Sequence, residues 1–112
     1  PPPPVRVDAR RFRQVLMNLV LNAMEAMPQG GQLTVHCRRS EHGKGAVCRV
    51  RDTGDGLPHD TPERCFEAFF TTKEHGAGLG LYICRRIIEQ MGGRITAKNA
   101  ENGAEFTLEL PE

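Results

Sequence analysis

The chain has 112 residues, a length that suits one small domain with a modest hydrophobic core. Its 15 Lys and Arg side chains nearly balance its 14 Asp and Glu side chains, and a formal net charge of +1 gives no reason to expect a nucleic acid or an anionic membrane as partner. The longest apolar stretch, residues 15–27, is interrupted by Asn18, Asn22 and Glu25, and it is too short and too polar to span a bilayer.

The proline run and the four cysteines give expectations about domain boundaries and redox state. Four prolines at residues 1–4 are typical of a polyproline linker, so we expect a linker remnant there and one folded domain over residues 5–112. The four cysteines lack the Cys-x-x-Cys spacing of a zinc site, and we expect them to be reduced thiols in a cytosolic protein. Two of them are placed to face each other across a predicted hairpin: Cys37 and Cys48.

The first half of the chain predicts a strand, a helix and a hairpin. Residues 5–7 suit a short edge strand, and Asp8 is a credible N-cap for a helix from about residue 9 to residue 27. Apolar and polar residues then alternate over 33–37 and over 46–50, with turn residues between the two runs. Asp52 is thereby expected at the end of a strand.

The second half begins with an irregular segment. Residues 53–77 lack sustained periodicity and predict a lid-like loop with one short helical turn around 62–66. Helical spacing resumes over 79–91 and ends at a glycine pair. Two strands around 95–97 and 106–110 complete the pattern. The predicted fold class is α/β: a two-layer sandwich in which a mixed, largely antiparallel sheet carries its helices on one face.

A polar stripe runs along one face of the first predicted helix. Gln14, Asn18, Asn22 and Glu25 recur at spacings of four, four and three residues. Amide oxygens suit a hard cation such as Mg²⁺, which usually keeps water and phosphate oxygens as its other ligands. The alternative is that Asn18 and Asn22 only satisfy nearby backbone groups.

Two glycine-rich turns could serve a nucleotide. Asp52 precedes Gly54 and Gly56; a carboxylate there can accept a hydrogen bond from an exocyclic amine such as that of adenine, while glycines let the backbone approach a flat ring. The turn over 76–80 opens a helix, where backbone amides and the positive end of the helix dipole suit phosphate. The alternatives are a simple strand-ending turn for the first segment and a flexible hinge for the second.

Lys73 is a candidate point charge for the phosphates.

In their order and context, four segments resemble the motifs of the catalytic ATP-binding domain of two-component sensor histidine kinases. That superfamily also holds gyrase, the ninety-kilodalton heat-shock chaperone and the mismatch-repair ATPase. The resemblance covers essentially all residues after the proline run. The segment Phe-Phe-Thr-Thr-Lys is similar to the corresponding sequence in nitrogen-regulation-type kinases. The segments are similar to the N box, the first G box, the F box and the second G box, in that order: residues 14–23, 52–56, 66–73 and 76–81.

The resemblance implies a role for each motif in binding ATP and Mg²⁺. Asn22 would coordinate Mg²⁺, and Asp52 would accept a hydrogen bond from the adenine amino group. Related hydrolases carry a glutamate at the position of Asn18, where it is the general base for water, so an asparagine favours phosphoryl transfer to a side chain. The remaining contacts would come from the lid, at Thr72 and Lys73, and from the backbone of the second glycine turn, at Gly76, Gly78, Leu79, Gly80 and Leu81.

The resemblance also implies partners, because no histidine in the chain has the helical His-Glu context that the family phosphorylates. We expect the acceptor on a dimerisation domain of the same full-length protein, followed by a response regulator. We expect a cytoplasmic location, including as the cytoplasmic part of a membrane-bound sensor, with no direct contact with a membrane or a nucleic acid. The isolated domain is expected to be monomeric.

Two other functions fit parts of the sequence. A serine kinase of the anti-sigma type shares the expected fold, but Asn18, the Thr-Thr-Lys lid and the linker-like start favour the histidine kinase. A non-catalytic module that senses nucleotide or binds a protein is the second alternative. It is made credible by three departures from the family pattern: Glu25, Ala77 and Glu105.

Overall fold

The structure, a computed structural model, describes residues 9–40, 45–54, 62–67, 80–100 and 103–111. These form two helices, four strands and a short 3-10 helix. In chain order they are α1 (Ala9–Ala26), β1 (Leu33–Arg39), β2 (Ala46–Asp52), the 3-10 helix (Pro62–Phe66), α2 (Gly80–Gln90), β3 (Arg94–Ala100) and β4 (Gly103–Leu110). No helix within these ranges is long and apolar enough to cross a membrane.

The four strands form one sheet in the order β1-β2-β4-β3. Each pairing between them is antiparallel, and the register sets Cys37 opposite Cys48 and Val50 opposite Phe106. The predicted fold class is confirmed. Strands β3 and β4 are both longer than predicted, because their pairing continues until Ala100 lies opposite Gly103.

One face of the sheet carries the core. In β2, Ala46, Cys48, Val50 and Asp52 are buried, whereas Arg49 between them is exposed. This alternation follows from the period of two in a strand. The helices supply the facing layer with their own buried residues: Val15, Leu19 and Ala23 from α1, and Cys84, Ile87 and Ile88 from α2. The helices therefore lie on one face, as predicted.

The ends of the helices follow the predicted stops closely. Helix α1 ends at Ala26, one residue before the predicted limit. Helix α2 ends where Gly92 adopts a positive φ of 82°, and the Gly93 amide donates to the Ile88 carbonyl at 2.9 Å. Such a left-handed residue after a helix is favoured for glycine, which has no Cβ to clash. The short helical turn over 62–66 is also confirmed.

Several predictions fall outside the described residues. These are the proline linker, the strand at 5–7, the Asp8 cap, most of the turn between β1 and β2, and most of the lid. They stay predictions.

Candidate functional site

The Asp52 carboxylate lies at the end of β2, on the face that carries the core, and is 2% exposed. Its Oδ1 atom accepts a hydrogen bond from the Gly54 amide at 2.9 Å and another from the Ala104 amide at 3.3 Å. Two backbone donors satisfy this oxygen and hold the carboxylate in one orientation. Asp52 is therefore positioned by the fold, and its place at the strand end confirms the prediction.

Gly103 and Ala104 were not among the predicted site residues, yet both contact Asp52. Gly103 has a positive φ of 120°, and a Cβ there would collide with the Asp52 carbonyl oxygen. Ala104 supplies the amide described above. The sequence predicted only that two strands are joined near this point. The close approach depends on the pairing of β2 with β4, which no local pattern reveals.

The turn after Asp52 packs against the end of α1. A Cβ on Gly54 would lie 2.5 Å from the Ala26 carbonyl oxygen, so only glycine allows this approach. Beside it, the Thr53 hydroxyl accepts a hydrogen bond from the Gln32 amide at 3.0 Å and lies 3.5 Å from the Met27 sulfur. These contacts join the carboxylate-bearing turn to the helix that carries the polar stripe.

Asn18 and Asn22 lie one turn apart on α1, and both are half-buried. Their neighbours Val15 and Leu19 are in the core, so the stripe runs along the edge of the buried helix face. Gln14 and Glu25, the other members of the predicted stripe, are exposed. The two asparagines thus differ in burial from the other polar residues of the stripe.

Asn18 faces the beginning of α2. A Cβ built on Gly80 would lie 3.9 Å from the Asn18 Oδ1 atom. The Asn18 amide also donates a hydrogen bond to the sulfur of Cys84, whose thiol lies 3.7 Å from the Val15 carbonyl oxygen as its acceptor. Burial raises the pKa of the Cys84 thiol to about 11, and the Asn18 hydrogen bond offsets part of that rise. Cys84 therefore stays a neutral thiol that joins α2 to α1.

These contacts place three of the predicted motifs around one stretch of α1. The Asp52–Gly54 turn meets the helix at Ala26, and the start of α2 meets it at Asn18. The two points are separated by eight residues, or about 12 Å along a helix. Asn22 lies midway between them.

The other predicted site residues lie outside the described ranges. No position or contact is assigned to them: Gly56, Thr72, Lys73, Gly76, Gly78 and Leu79. Leu81 is described, and it is partly buried against the core in the first turn of α2.

One of the three departures from the family pattern is remote from this site. Glu105 points to the sheet face opposite the Asp52 side chain, where it lies 3.7 Å from the Arg49 Nε atom and 3.8 Å from the Lys98 Nζ atom. Asp52 faces the helices instead. Glu105 therefore gives no direct reason to expect weaker nucleotide binding. Glu25 is exposed on α1, and Ala77 lies outside the described residues.

Comparison with known proteins agrees with this geometry. A family model described as histidine kinase-, DNA gyrase B-, and HSP90-like ATPase matches residues 7–112. The sensor histidine kinase ZraS of Escherichia coli O157:H7 is 44% identical over 110 residues, which cover 97% of this chain and 24% of that protein. The chain thus spans about a quarter of the length of this curated relative.

Solved structures show the same relationship. The catalytic domain of histidine kinase ThkA superposes with a TM-score of 0.84 at 42% identity, covering 96% of this chain and 70% of that one. Histidine kinase ThkA in complex with the response regulator protein TrrA superposes with a TM-score of 0.79 at 39% identity, covering 96% of this chain and 30% of that one. The chain therefore belongs to the family of histidine kinase-, DNA gyrase B- and HSP90-like ATPases, as an ATP-binding catalytic domain of the histidine kinase type.

Proposed function

We propose that this domain transfers the γ-phosphoryl group of ATP to a histidine on a dimerisation domain of the same full-length protein, in the cytoplasm. The phosphoryl group then passes to a response regulator. The relatives support both steps, since ZraS is a sensor histidine kinase and ThkA has been solved in complex with a response regulator.

The position of Asn18 is the observation that carries the choice of transfer over hydrolysis. Its side chain lies beside Gly80 at the start of α2, where the helix dipole favours phosphate. A glutamate at this point could accept a proton from an attacking water molecule, whereas an amide cannot serve as a general base. Catalysis would then consist mainly of positioning the γ-phosphate for a nucleophile that another domain provides.

Asp52 is assigned to the adenine end of the nucleotide. Both of its hydrogen bonds to backbone amides are accepted by Oδ1. We assign Oδ2 to the exocyclic amino group of adenine, which needs an acceptor.

Asn22 is assigned to Mg²⁺. The ion usually has one or two protein ligands and takes the remainder from phosphate oxygens and water. The residue type fits: Asn22 carries an amide oxygen, a hard ligand that suits Mg²⁺, and it lies midway between the two contact points on α1. When bound, Mg²⁺ would neutralise charge on the phosphates.

The proposal is tested by mixing the chain with a dimerisation domain that carries the acceptor histidine, together with ATP labelled at the γ position. Wild type should label the acceptor, and Asn22→Ala should lose at least about 90% of the initial rate, because one protein ligand of Mg²⁺ is removed. The matched control is Gln90→Ala, which removes an exposed amide at the far end of α2. Its rate should equal that of wild type.

Calorimetric titration with ATP distinguishes the remaining possibilities. Binding without labelling of any acceptor would indicate a nucleotide-sensing module. Loss of both binding and labelling would indicate an interaction module. Equal rates for Asn22→Ala and wild type would remove Asn22 from the site.

A further inference from the structure

Two thiols face each other on the side of the sheet that carries the core. Cys37 on the edge strand β1 and Cys48 on β2 are register partners. Cys48 is buried, Cys37 is half-buried against the core, and both are free thiols. The Cys48 thiol is hydrogen-bonded to the Cys37 sulfur. The two side chains therefore lie side by side on the same face of the folded sheet.

The hydrogen-bond pattern of the hairpin shows which kind of pair they form. The Ser40 amide donates to the Gly45 carbonyl oxygen at 3.2 Å, and this pair continues the register of β1 and β2. Hydrogen-bonded and non-hydrogen-bonded pairs alternate along an antiparallel ladder. Three positions further along, Cys37 and Cys48 are a non-hydrogen-bonded pair.

This kind of pair can accept a disulfide. Its Cα atoms are typically about 4.5 Å apart and its side chains are close. A disulfide tolerates Cα separations of about 4.4 to 6.8 Å, so bridging requires little backbone movement.

The other two cysteines lie elsewhere and are buried. Cys65 is in the 3-10 helix, and Cys84 is on α2 with its thiol directed at the Val15 carbonyl oxygen. Neither lies on the hairpin that brings Cys37 and Cys48 together. An oxidant that preserves the fold should therefore act on one pair.

We propose that Cys37 and Cys48 are a redox modification site that forms a reversible disulfide between β1 and β2, with a small-molecule disulfide such as oxidised glutathione as the oxidant. The Cys37 thiolate attacks one sulfur of the oxidant, forms a mixed disulfide and releases one thiolate. Cys48 then loses its proton and attacks the Cys37 sulfur, which releases the second thiolate. Two protein thiols are oxidised, and one disulfide is reduced to two thiols.

The environment of the pair sets the order of these steps. Burial, the hydrogen bond to Cys37 and the charge of a Cys37 thiolate raise the pKa of Cys48 to about 12. A thiol attacks as the thiolate, so Cys48 is a poor first nucleophile. Cys37, which is half-buried, is the group that meets the oxidant.

The bond would join strands that are already paired in register, so it should leave the site at Asp52 intact. It would also restrict the unfolded chain between the two cysteines. We expect the midpoint of thermal unfolding to rise by about 5 °C or more in the oxidised protein. ATP affinity should be unchanged.

The test is peptide mapping of the full chain after incubation with oxidised glutathione, digested by trypsin without reduction. Arg38, Arg39 and Lys44 separate the two cysteines, so the bond would link two tryptic peptides, 14–38 and 45–49. The expected result is that linked pair, with the loss of two of the four free thiols. Added dithiothreitol should release both peptides and reverse the rise in unfolding temperature.

Two variants make the result specific. Cys37→Ser should abolish the linked peptide and the temperature shift, and it avoids changing the buried Cys48. Cys65→Ala is the control, and it should keep both effects. A glutathione adduct on Cys37 alone, a link that involves Cys65 or Cys84, or no linked peptide at all would overturn the proposal.

Discussion

At the scale of single residues, Asp52 links the sheet to the proposed nucleotide site. It is buried, and two backbone amides from different segments fix one of its oxygens. A buried carboxylate is costly unless it is hydrogen-bonded, and these two amides satisfy Oδ1. In the proposed function the other oxygen accepts from adenine.

Replacing Asp52 with asparagine tests that role. The amide oxygen of Asp52→Asn can still accept hydrogen bonds from Gly54 and Ala104, whereas the charge that attracts the adenine amino group is lost. Hydrogen bonds to charged groups contribute about 1.5–3 kcal/mol, so ATP should bind at least about tenfold more weakly by calorimetry. Glu109→Gln, which neutralises an exposed acid on the other sheet face, is the control. Unchanged affinity in Asp52→Asn would remove it from the adenine contact.

Gly103 allows the start of β4 to lie close to the Asp52 backbone. Comparing substitutions at Gly103 and Gly30 measures how much this close approach contributes to stability. Gly103→Ala adds a Cβ that would collide with the Asp52 carbonyl oxygen at a positive φ. Gly30→Ala is the matched control, because Gly30 also has a positive φ of 95° but a Cβ added there would meet no atom within 4 Å. Urea unfolding should show a loss of about 1 kcal/mol in Gly30→Ala and of at least about 3 kcal/mol in Gly103→Ala. Equal losses would mean that the close approach contributes nothing.

At the scale of elements, α1 carries both the core face and the site face. Leu19 is 1% exposed, whereas Leu21, on the same helix, is 52% exposed. Deleting a buried leucine side chain costs about 2–5 kcal/mol, and surface changes usually cost less than about 0.5 kcal/mol. We therefore expect Leu19→Ala to lower the free energy of unfolding within the larger range, with Leu21→Ala close to wild type in urea titrations. Similar losses for both variants would contradict this orientation of the helix.

Comparison of the predicted and observed elements shows what local pattern can and cannot predict. The apolar spacing of α1 and α2 predicted both helices within a residue or two of their observed ends, because the spacing and the glycine stops act locally. The alternation in β2 predicted that Asp52 would end a strand. By contrast, the orientation of Glu105 away from the site and the contact of Gly103 with Asp52 depend on the register of β4 against its neighbours. Register is a long-range property that no single segment encodes.

Side-chain contacts between helices were also beyond the sequence pattern. Cys84 was expected to be a reduced thiol, and in the structure it is a buried free thiol. Its hydrogen bonds to Val15 and Asn18 across the helix interface depend on how α1 and α2 cross. Nothing in the spacing of either helix specifies that crossing.

At the scale of the whole molecule, the proposed reaction needs an acceptor histidine from another domain. The described part of the chain contains one histidine, His36, which lies on strand β1 and not on a helix. The chain spans 24% of the length of the relative ZraS, which leaves room in such proteins for an acceptor domain. We propose that residues 5–112 fold as a monomer and that dimerisation belongs to the acceptor domain.

The fate of the γ-phosphoryl group is the central question at this scale. In the proposed mechanism Asn18 cannot activate water, so the group should move only when a histidine is presented. Without an acceptor domain, the chain should bind ATP and release inorganic phosphate slowly. An Asn18→Glu variant, which restores a potential general base, should raise phosphate release relative to transfer.

The most direct measurement follows γ-labelled ATP with and without the acceptor domain and divides the label between phosphohistidine and inorganic phosphate. We predict that at least about 90% of the transferred label appears as acid-labile, base-stable phosphohistidine, and that little is released when the acceptor is absent. Release of the label as inorganic phosphate at the same rate with and without the acceptor would contradict the account and identify the chain as a hydrolase.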